Sequence, residues 1–139
     1  MKRLSIIWLL CLLVVLLTSC SLQTSTDNSN ISAEQVVKDH FKWRNEKNLA
    51  KLEETLTEKR KGIQWNLDNL EYVKLLEIIE VTNSITNPKP KENTKVFKVK
   101  YEIKFKEEKG PQNSGTYEWY YFVVKEQQNS PWLVDDWGV

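Results

Sequence analysis

Several residue types that carry chemistry are scarce in this sequence. Its 139 residues include only two cysteines, one histidine, four glycines and four prolines. Such a composition excludes a collagen-like chain, a low-complexity chain and a disulfide-rich miniprotein. The formal net charge is only +1, so no strong basic field indicates a nucleic-acid partner. What remains is an ordinary globular composition, at a length that suits one domain.

Motifs for metal binding and nucleophilic catalysis are also lacking. A transition-metal site usually needs several His, Cys or clustered carboxylate ligands, and His40 is the only histidine. Asp135 and Asp136 are adjacent in a predicted strand, so their side chains should point to opposite faces and cannot chelate jointly. The chain has no Gly-rich phosphate loop and no G-x-S-x-G motif. We therefore expect neither a metal ion nor a cofactor.

The N-terminus has the pattern of a targeting segment. Lys2 and Arg3 precede an apolar run without charged residues, Leu4–Leu17. As a helix this run rises about 21 Å, short of the roughly 30 Å of a bilayer core, and its length is typical of a signal peptide. The next residues, Leu17-Thr18-Ser19-Cys20, resemble a bacterial lipobox, in which an apolar residue and two small ones precede a cysteine. The alternative is an uncleaved single-span anchor with an incidental cysteine.

The lipobox resemblance implies a division of the chain into three parts. Residues 1–19 would be a lipoprotein signal peptide, and Cys20 would receive a diacylglyceryl group and become the first residue of the mature chain. Two acyl chains hold a protein stably at a membrane. Residues 20–31 are polar after the cysteine and predict a flexible tether, and residues 32–139 predict the folded domain. We expect a lipid-anchored protein on the extracytoplasmic face of the cell membrane.

Two helices are predicted at the start of the domain. Ser32 and Gln35 form a capping-box pattern, and apolar residues then recur at helical spacing to about Glu46. Asn48 is a good N-cap for a second helix, whose apolar stripe is Leu49, Leu52 and Leu56. The run Lys59-Arg60-Lys61 would lie in its last turn, where cations complement the helix dipole, with Gly62 just past the end.

After Gly62 the pattern changes to that of an antiparallel sheet. Leu70–Val81 is apolar and β-prone but contains adjacent apolar pairs, which indicates a strand covered on both faces or one with a bulge, with a helix as the competing interpretation. Phe97–Phe105 alternates strictly between apolar and charged residues, as a half-buried strand does. Thr116–Lys125 predicts a central strand with Trp119 buried, and Trp132–Trp137 predicts the last strand. Helices followed by strands predict an α+β fold: two helices packed on a curved, cone-like antiparallel sheet of at least four strands.

The domain resembles a known superfamily. Its capped first helix, its short second helix starting at Asn48-Leu49-Ala50-Lys51-Leu52, and its closing segment Trp132–Gly138 are similar to the nuclear-transport-factor-2-like, or cystatin-like, α+β cones. Leu56–Gly62 and Trp65–Tyr72 also resemble an uncharacterised lipoprotein family of low-GC Gram-positive bacteria. The superfamily contains both enzymes and non-catalytic binders, so the resemblance implies a pocket and not a reaction.

Four residues are candidates to line that pocket: His40, Tyr72, Tyr101 and Tyr121. Two functions then compete. The first is a non-catalytic binding or interaction module for a small apolar molecule, a peptide or another envelope protein. The second is a small pocket enzyme of isomerase or hydrolase type that uses His40 and a carboxylate, since histidine titrates near neutral pH. They differ in whether His40 and a carboxylate share one solvent-accessible cavity.

A stripe of four lysines is the one unusual charge pattern. Lys98, Lys100, Lys104 and Lys106 should share one face of the sheet, with Glu102 among them. Such a face could meet anionic lipid head groups or phosphate-rich wall polymers. The alternative is a solvated face on which lysines pair with acids such as Glu118 on the next strand and discourage edge aggregation.

Overall fold

The fold was analysed in a computed structural model, which describes residues 31–86 and 89–139. The predicted signal peptide 1–19, the predicted lipidation site Cys20 and nearly all of the predicted tether lie outside the described residues. Within the described part of the chain, no helix combines the length and the apolar character needed to cross a membrane.

The first helix agrees with its prediction. Helix α1 spans Ala33–Asn45, and the Ser32 side chain accepts a 3.1 Å hydrogen bond from the backbone N–H of Gln35. This bond satisfies one of the backbone donors that a helix N-terminus leaves free. The buried stripe of α1 packs on the β-sheet.

The second helix is shorter than predicted. Helix α2 spans only Leu49–Glu54, with Asn48 as its N-cap. The chain then pairs with the last strand, because Val134 donates to the carbonyl of Thr55 at 2.8 Å and accepts from the N–H of Thr57 at 3.0 Å. These backbone bonds replace the helical ones, so the helix cannot continue to Lys61.

The predicted role of the basic run at 59–61 as a helix cap is therefore wrong. Glu58–Arg60 form a 3-10 turn. Lys59 lies 2.6 Å from a carboxylate oxygen of Asp135, and Arg60 pairs with Asp136 and donates from Nε to the Asp135 carbonyl at 2.8 Å. The two aspartates face one basic cluster, contrary to the expectation of opposite faces, because the pairing of the last two strands shifts register close to them.

Four strands form one antiparallel sheet in chain order, which confirms the α+β class. They are β1 Leu70–Glu80, β2 Thr94–Phe105, β3 Gly115–Lys125 and β4 Trp132–Gly138. The β1–β2 pairing shifts register twice, between Leu70 and Tyr72 and between Leu75 and Glu77. Each shift changes which positions of β1 face the core, and this explains why the buried or partly buried Val73, Leu75 and Ile78 do not follow a strict alternation from Leu70.

The face of the sheet that packs on α1, here called the inner face, carries the core. Its largest fully buried side chains include Tyr101, Tyr121 and Phe97. Trp119 was expected to be buried, but it is only partly buried. Its side chain packs against the core and keeps part of its surface exposed. α1 and β4 leave this end of β3 less covered, since the β4 ladder ends where Gly138 pairs with Tyr120.

The opposite, outer face carries the predicted lysine stripe. Lys98 forms a 2.6 Å ion pair with Glu118 on β3, and Lys100 lies opposite Glu118 in the strand register. Lys106 lies just past β2, where its ammonium group donates to the Asp68 carbonyl at 2.7 Å. These contacts are those of a solvated sheet face with cross-strand charge pairs.

Candidate functional site

Helix α1 places His40 in the centre of the core. The residue is 0% exposed, and its Nδ1 lies 3.1 Å from the hydroxyl oxygen of Thr55. The Thr55 hydroxyl donates its own hydrogen to the Leu52 carbonyl at 2.6 Å, so it acts as acceptor toward His40. Nδ1 therefore carries the imidazole hydrogen, and Nε2 presents a lone pair.

The surroundings of His40 keep its ring neutral. Burial removes water from the imidazolium, and the nearby guanidinium of Arg44 repels it, so the pKa falls from 6.5 to about 3. A general base at neutral pH needs a pKa much closer to the working pH. In the part of the chain that the structure describes, His40 bonds to a hydroxyl and to no carboxylate.

The structure brings three of the four predicted pocket residues together. His40 lies 5.9 Å from Tyr121 between ring centroids, and Phe41 lies 5.1 Å from Tyr101 and 5.4 Å from Tyr121. The fourth, Tyr72, lies on the outer face, where it is paired in register with Lys104 and its hydroxyl donates to Glu102. Tyr72 is thus separated from the other three by the thickness of the sheet.

The most unusual group near His40 is the side chain of Arg44. It lies one turn further along α1 and is only 7% exposed. Ion pairs between described residues do not include Arg44. The titratable groups that act on it besides His40 are Tyr101 and Tyr121, and burial lowers its pKa. Arginine titrates so far above neutral pH that the guanidinium nevertheless stays charged.

Neither tyrosine compensates that charge. Burial raises the pKa of Tyr101 to about 12 and raises the pKa of Tyr121 further, because a phenolate would lose its hydration. Both hydroxyls are therefore neutral at physiological pH. The ring of Trp65 gives some compensation, since the Arg44 Cζ lies 5.1 Å from its centroid. A cation–π contact of this kind contributes about 2 kcal/mol, less than the several kcal/mol of desolvation for a buried ion.

Three buried side-chain nitrogens lack a hydrogen-bond partner among the described residues, and all three lie here. They are His40 Nε2, Arg44 Nε and Trp65 Nε1. The rings of His40 and Trp65 are 5.3 Å apart. Buried polar atoms are nearly always paired, so three unpaired atoms in one place require an explanation. We call this group, together with Tyr101, Tyr121 and Trp137, the Arg44 site.

A stacked pair of indoles forms one wall of the Arg44 site. Trp65 and Trp137 lie 5.3 Å apart with ring planes at 28°. Arg44 lies against Trp65, and Arg60 lies against Trp137 at 5.5 Å from the ring centroid. Sequence reasoning did not single out Arg44, Trp65 or Trp137 as site residues. The available signal was the position of Arg44 one turn after His40, on the stripe of α1 that faces the core.

The wall continues toward solvent along β3. Tyr101 stacks on Tyr117 at 5.8 Å and meets Trp119 edge to face at 5.8 Å. Tyr117 and Trp119 are both half-buried. A series of aromatic contacts thus runs from the buried Tyr101 to the partly exposed rings of Tyr117 and Trp119.

A separate cleft of about 500 Å³ lies between α1, α2 and the start of β4. Trp43 and Trp132 line it, with the carboxylates of Asp39 and Glu54. Thr55 also lines this cleft and bonds to His40 behind it, but His40 is not among the lining residues. The cleft therefore does not bring His40 and a carboxylate into one cavity.

The described residues contain no cluster of three or more His, Cys, Asp or Glu side chains suited to holding a metal ion. The chemistry that the Arg44 site offers is one positive charge, two hydrogen-bond donors at Arg44 and Trp65, and one acceptor at His40. All are set in aromatic surroundings.

Comparison with known proteins places the domain but assigns it no activity. The comparison with curated proteins gave no match, and neither did the comparison with solved structures. A family model matches residues 34–138, which include both helices and all four strands almost completely. Because this stretch is well over half of the chain, the protein belongs to the family described as Domain of unknown function (DUF4829).

Proposed function

We propose that this protein is a lipid-anchored, extracytoplasmic binding module without catalytic activity of its own. The anchor is the diacylglyceryl group that the lipobox resemblance implies for Cys20, and the binding element is the Arg44 site on the inner face of the sheet. The partners are the membrane, through that anchor, and a small ligand, peptide or envelope protein at the site. A nucleic-acid partner does not fit the balanced charge of the chain.

One observation carries the binding function: the three unpartnered polar nitrogens are gathered around a buried cation. A core selected only for stability would place an apolar side chain at position 44, because burying an ion without a partner costs several kcal/mol. Proteins keep such costly groups where they bind or react. The Arg44 site therefore supports recognition of something that the folded chain alone does not supply.

The same site argues for binding in preference to proton chemistry. The pKa of His40 lies near 3 and that of Tyr101 near 12, so neither group exchanges a proton readily at neutral pH. A guanidinium can bind a ligand without the help of a general acid or a general base. The pocket enzyme that uses His40 and a carboxylate has no comparable support among the described contacts.

The finer fold assignment is also part of this proposal. Two helices followed by a four-stranded antiparallel meander, with α1 against β1, β3 and β4, support a cone of the nuclear-transport-factor-2-like or cystatin-like type. The resemblance implies a pocket in such a cone, and the Arg44 site, between α1 and the inner face of the sheet, supports one there.

The anchor is tested by the N-terminal mass of the protein from its native membrane. We expect the wild-type chain to begin at a diacylglyceryl-modified Cys20. Cys20→Ser should retain Met1 and carry no acyl group. Cys11→Ser is the matched control, since it removes the other cysteine from within the apolar run and should be processed like the wild type. A wild-type chain that begins at an unmodified Met1 would identify the segment as a membrane span and refute the anchor.

The absence of catalysis is tested with His40→Gln in a deletion strain. Glutamine can replace the hydrogen bond to Thr55 but cannot act as a general base. A general base contributes about 10²–10⁴-fold to a rate, so its loss would be evident at threshold expression. We expect His40→Gln to complement the deletion fully, because the glutamine amide keeps both a donor toward Thr55 and an acceptor in place of the imidazole Nε2. Normal abundance with failed complementation would favour the pocket enzyme.

A further inference from the structure

The Arg44 site has an electrostatic requirement that identifies the class of its ligand. The guanidinium is 7% exposed, and the neutral groups around it are aromatic rings, two phenols and an uncharged imidazole. Because no acid among the described residues pairs with it, a bound anion would neutralise the charge. Arginine is suited to this task, since its planar fork binds an anion through two parallel hydrogen bonds.

The arrangement favours a carboxylate over a phosphate. A single guanidinium supplies one positive charge, which balances one carboxylate, whereas a phosphate group carries up to two charges at neutral pH. The other unpartnered donor, Trp65 Nε1, suits a second carboxylate lone pair. The lysine stripe does not contribute here, because Lys98, Lys100 and Lys104 occupy the outer face.

The side chains that continue from Tyr101 toward solvent along β3 are aromatic. Tyr117 and Trp119 continue the aromatic surface from Tyr101 to solvent, and both keep part of their rings exposed. Rings in this position provide contact area for a flat or aliphatic body at low conformational cost. An amphiphilic acid would lay its apolar body along β3 and direct its charged end to the buried guanidinium.

We propose that Arg44 binds the carboxylate of an apolar organic acid, with the body of the acid against Tyr117 and Trp119. This inference rests on the proposed binding function and specifies its ligand. It also explains two of the three unpaired nitrogens, because the carboxylate supplies the acceptor that Arg44 and Trp65 lack.

The test uses the full-length chain and pairs of probes that differ only in charge. Phenylacetate is compared with phenylacetamide, and octanoate with octanamide, by Tm and by titration calorimetry, with inorganic phosphate as a third arm. We expect at least one of the acids to raise the Tm and to bind about tenfold or more tightly than its amide, because the amide lacks the charge that Arg44 recognises. Phosphate alone should have no effect.

Two arginine variants locate the effect. Arg44→Met should abolish the preference for acid over amide, whereas Arg60→Met, which changes the arginine on the other indole, should preserve it. If Arg44→Met does not fold, Arg44→Lys keeps the charge without the planar fork and should bind the acid more weakly than the wild type. If the folded Arg44 variants kept the wild-type preference for the acid over its amide, Arg44 would not be the residue that binds the carboxylate.

The remaining outcomes separate this inference from the proposed function. Amides that bind as tightly as acids would overturn the carboxylate assignment and leave a binding module in place. Phosphate that binds as tightly as the acids would overturn the choice of carboxylate. Binding of none of the probes would overturn the organic-acid ligand, while the anchor and the absence of catalysis are judged separately by the Cys20 and His40 variants.

Discussion

Arg44 and Arg60 lie against the same stack of two indoles in opposite electrostatic surroundings. Arg44 contacts Trp65 and Arg60 contacts Trp137, with ring centroids 5.1 Å and 5.5 Å away. Arg60 is at the surface and pairs with Asp136 and with the carbonyl of Asp135. Arg44 is in the core, and among the described residues it has no acid partner.

This difference in charge pairing indicates a structural role for Arg60 and a binding role for Arg44. Arg60 joins the 3-10 turn Glu58–Arg60 to β4, and its charge and its Nε hydrogen both have partners there. The buried charge of Arg44 destabilises the fold, because its neighbours do not neutralise it. Two residues of the same type on the same aromatic stack thus have different physical roles because their burial and their acids differ.

Among the variants considered, removal of the Trp65 indole, which contacts Arg44 and His40, should reduce stability most. Trp65 is 9% exposed, and Trp65→Ala should lower the free energy of unfolding by about 3–5 kcal/mol. Denaturant titration measures the loss. Trp43→Ala is the matched control: Trp43 is only partly buried and lines the cleft beside α2, so its truncation should cost less than that of Trp65. Equal losses at the two positions would contradict the central place of Trp65.

Acid should destabilise the protein through His40. The pKa of His40 is about 3 in the folded protein, whereas an unfolded chain has the ordinary histidine pKa of 6.5, so between these pH values only the unfolded chain binds the proton. The free energy of unfolding should fall by about 1.4 kcal/mol for each pH unit below 6.5, and His40 should contribute no slope above that pH. His40→Gln should remove this part of the slope. Identical pH profiles for the two proteins would mean that His40 titrates normally in the fold.

The smallest expected effects come from truncating each arginine in turn. Arg60→Met removes one surface ion pair and should lower the free energy of unfolding by less than about 1 kcal/mol, with a loss that shrinks as salt is added. Arg44→Met removes an unpaired buried charge and should raise the free energy of unfolding of the ligand-free protein by about 1 kcal/mol. Denaturant titration at two salt concentrations distinguishes them. A loss at both positions would indicate that Arg44 is as well compensated as Arg60.

Much of the fold was predictable from local pattern. The capping residues of α1 and the strict alternation of Phe97–Phe105 specify a helix and a half-buried strand without reference to the rest of the chain. The adjacent apolar pairs in β1 indicated a bulge, which the two register shifts confirm. The end of α2 was not predictable, since the pairing of Thr55 and Thr57 with Val134 depends on a strand almost 80 residues away.

The candidate site was predictable only in part. His40, Tyr101 and Tyr121 do meet in the core, whereas Tyr72 lies on the other face of the sheet because of the register shift next to it. Arg44 was hidden in the sequence by its type, since an arginine on a helix is usually exposed. The lipid anchor at Cys20 stays a prediction of the sequence.

Local signals along the chain specify the order and type of most elements, because capping, apolar period and turn residues act over a few positions. The pairing of charges, in contrast, depends on how the elements pack. Lys59 and Arg60 meet Asp135 and Asp136 because β4 returns beside the 3-10 turn, and Arg44 meets Trp65 and two tyrosines because α1 crosses the inner face. Electrostatic pairing depends on distance in space, which the order of residues along the chain does not specify.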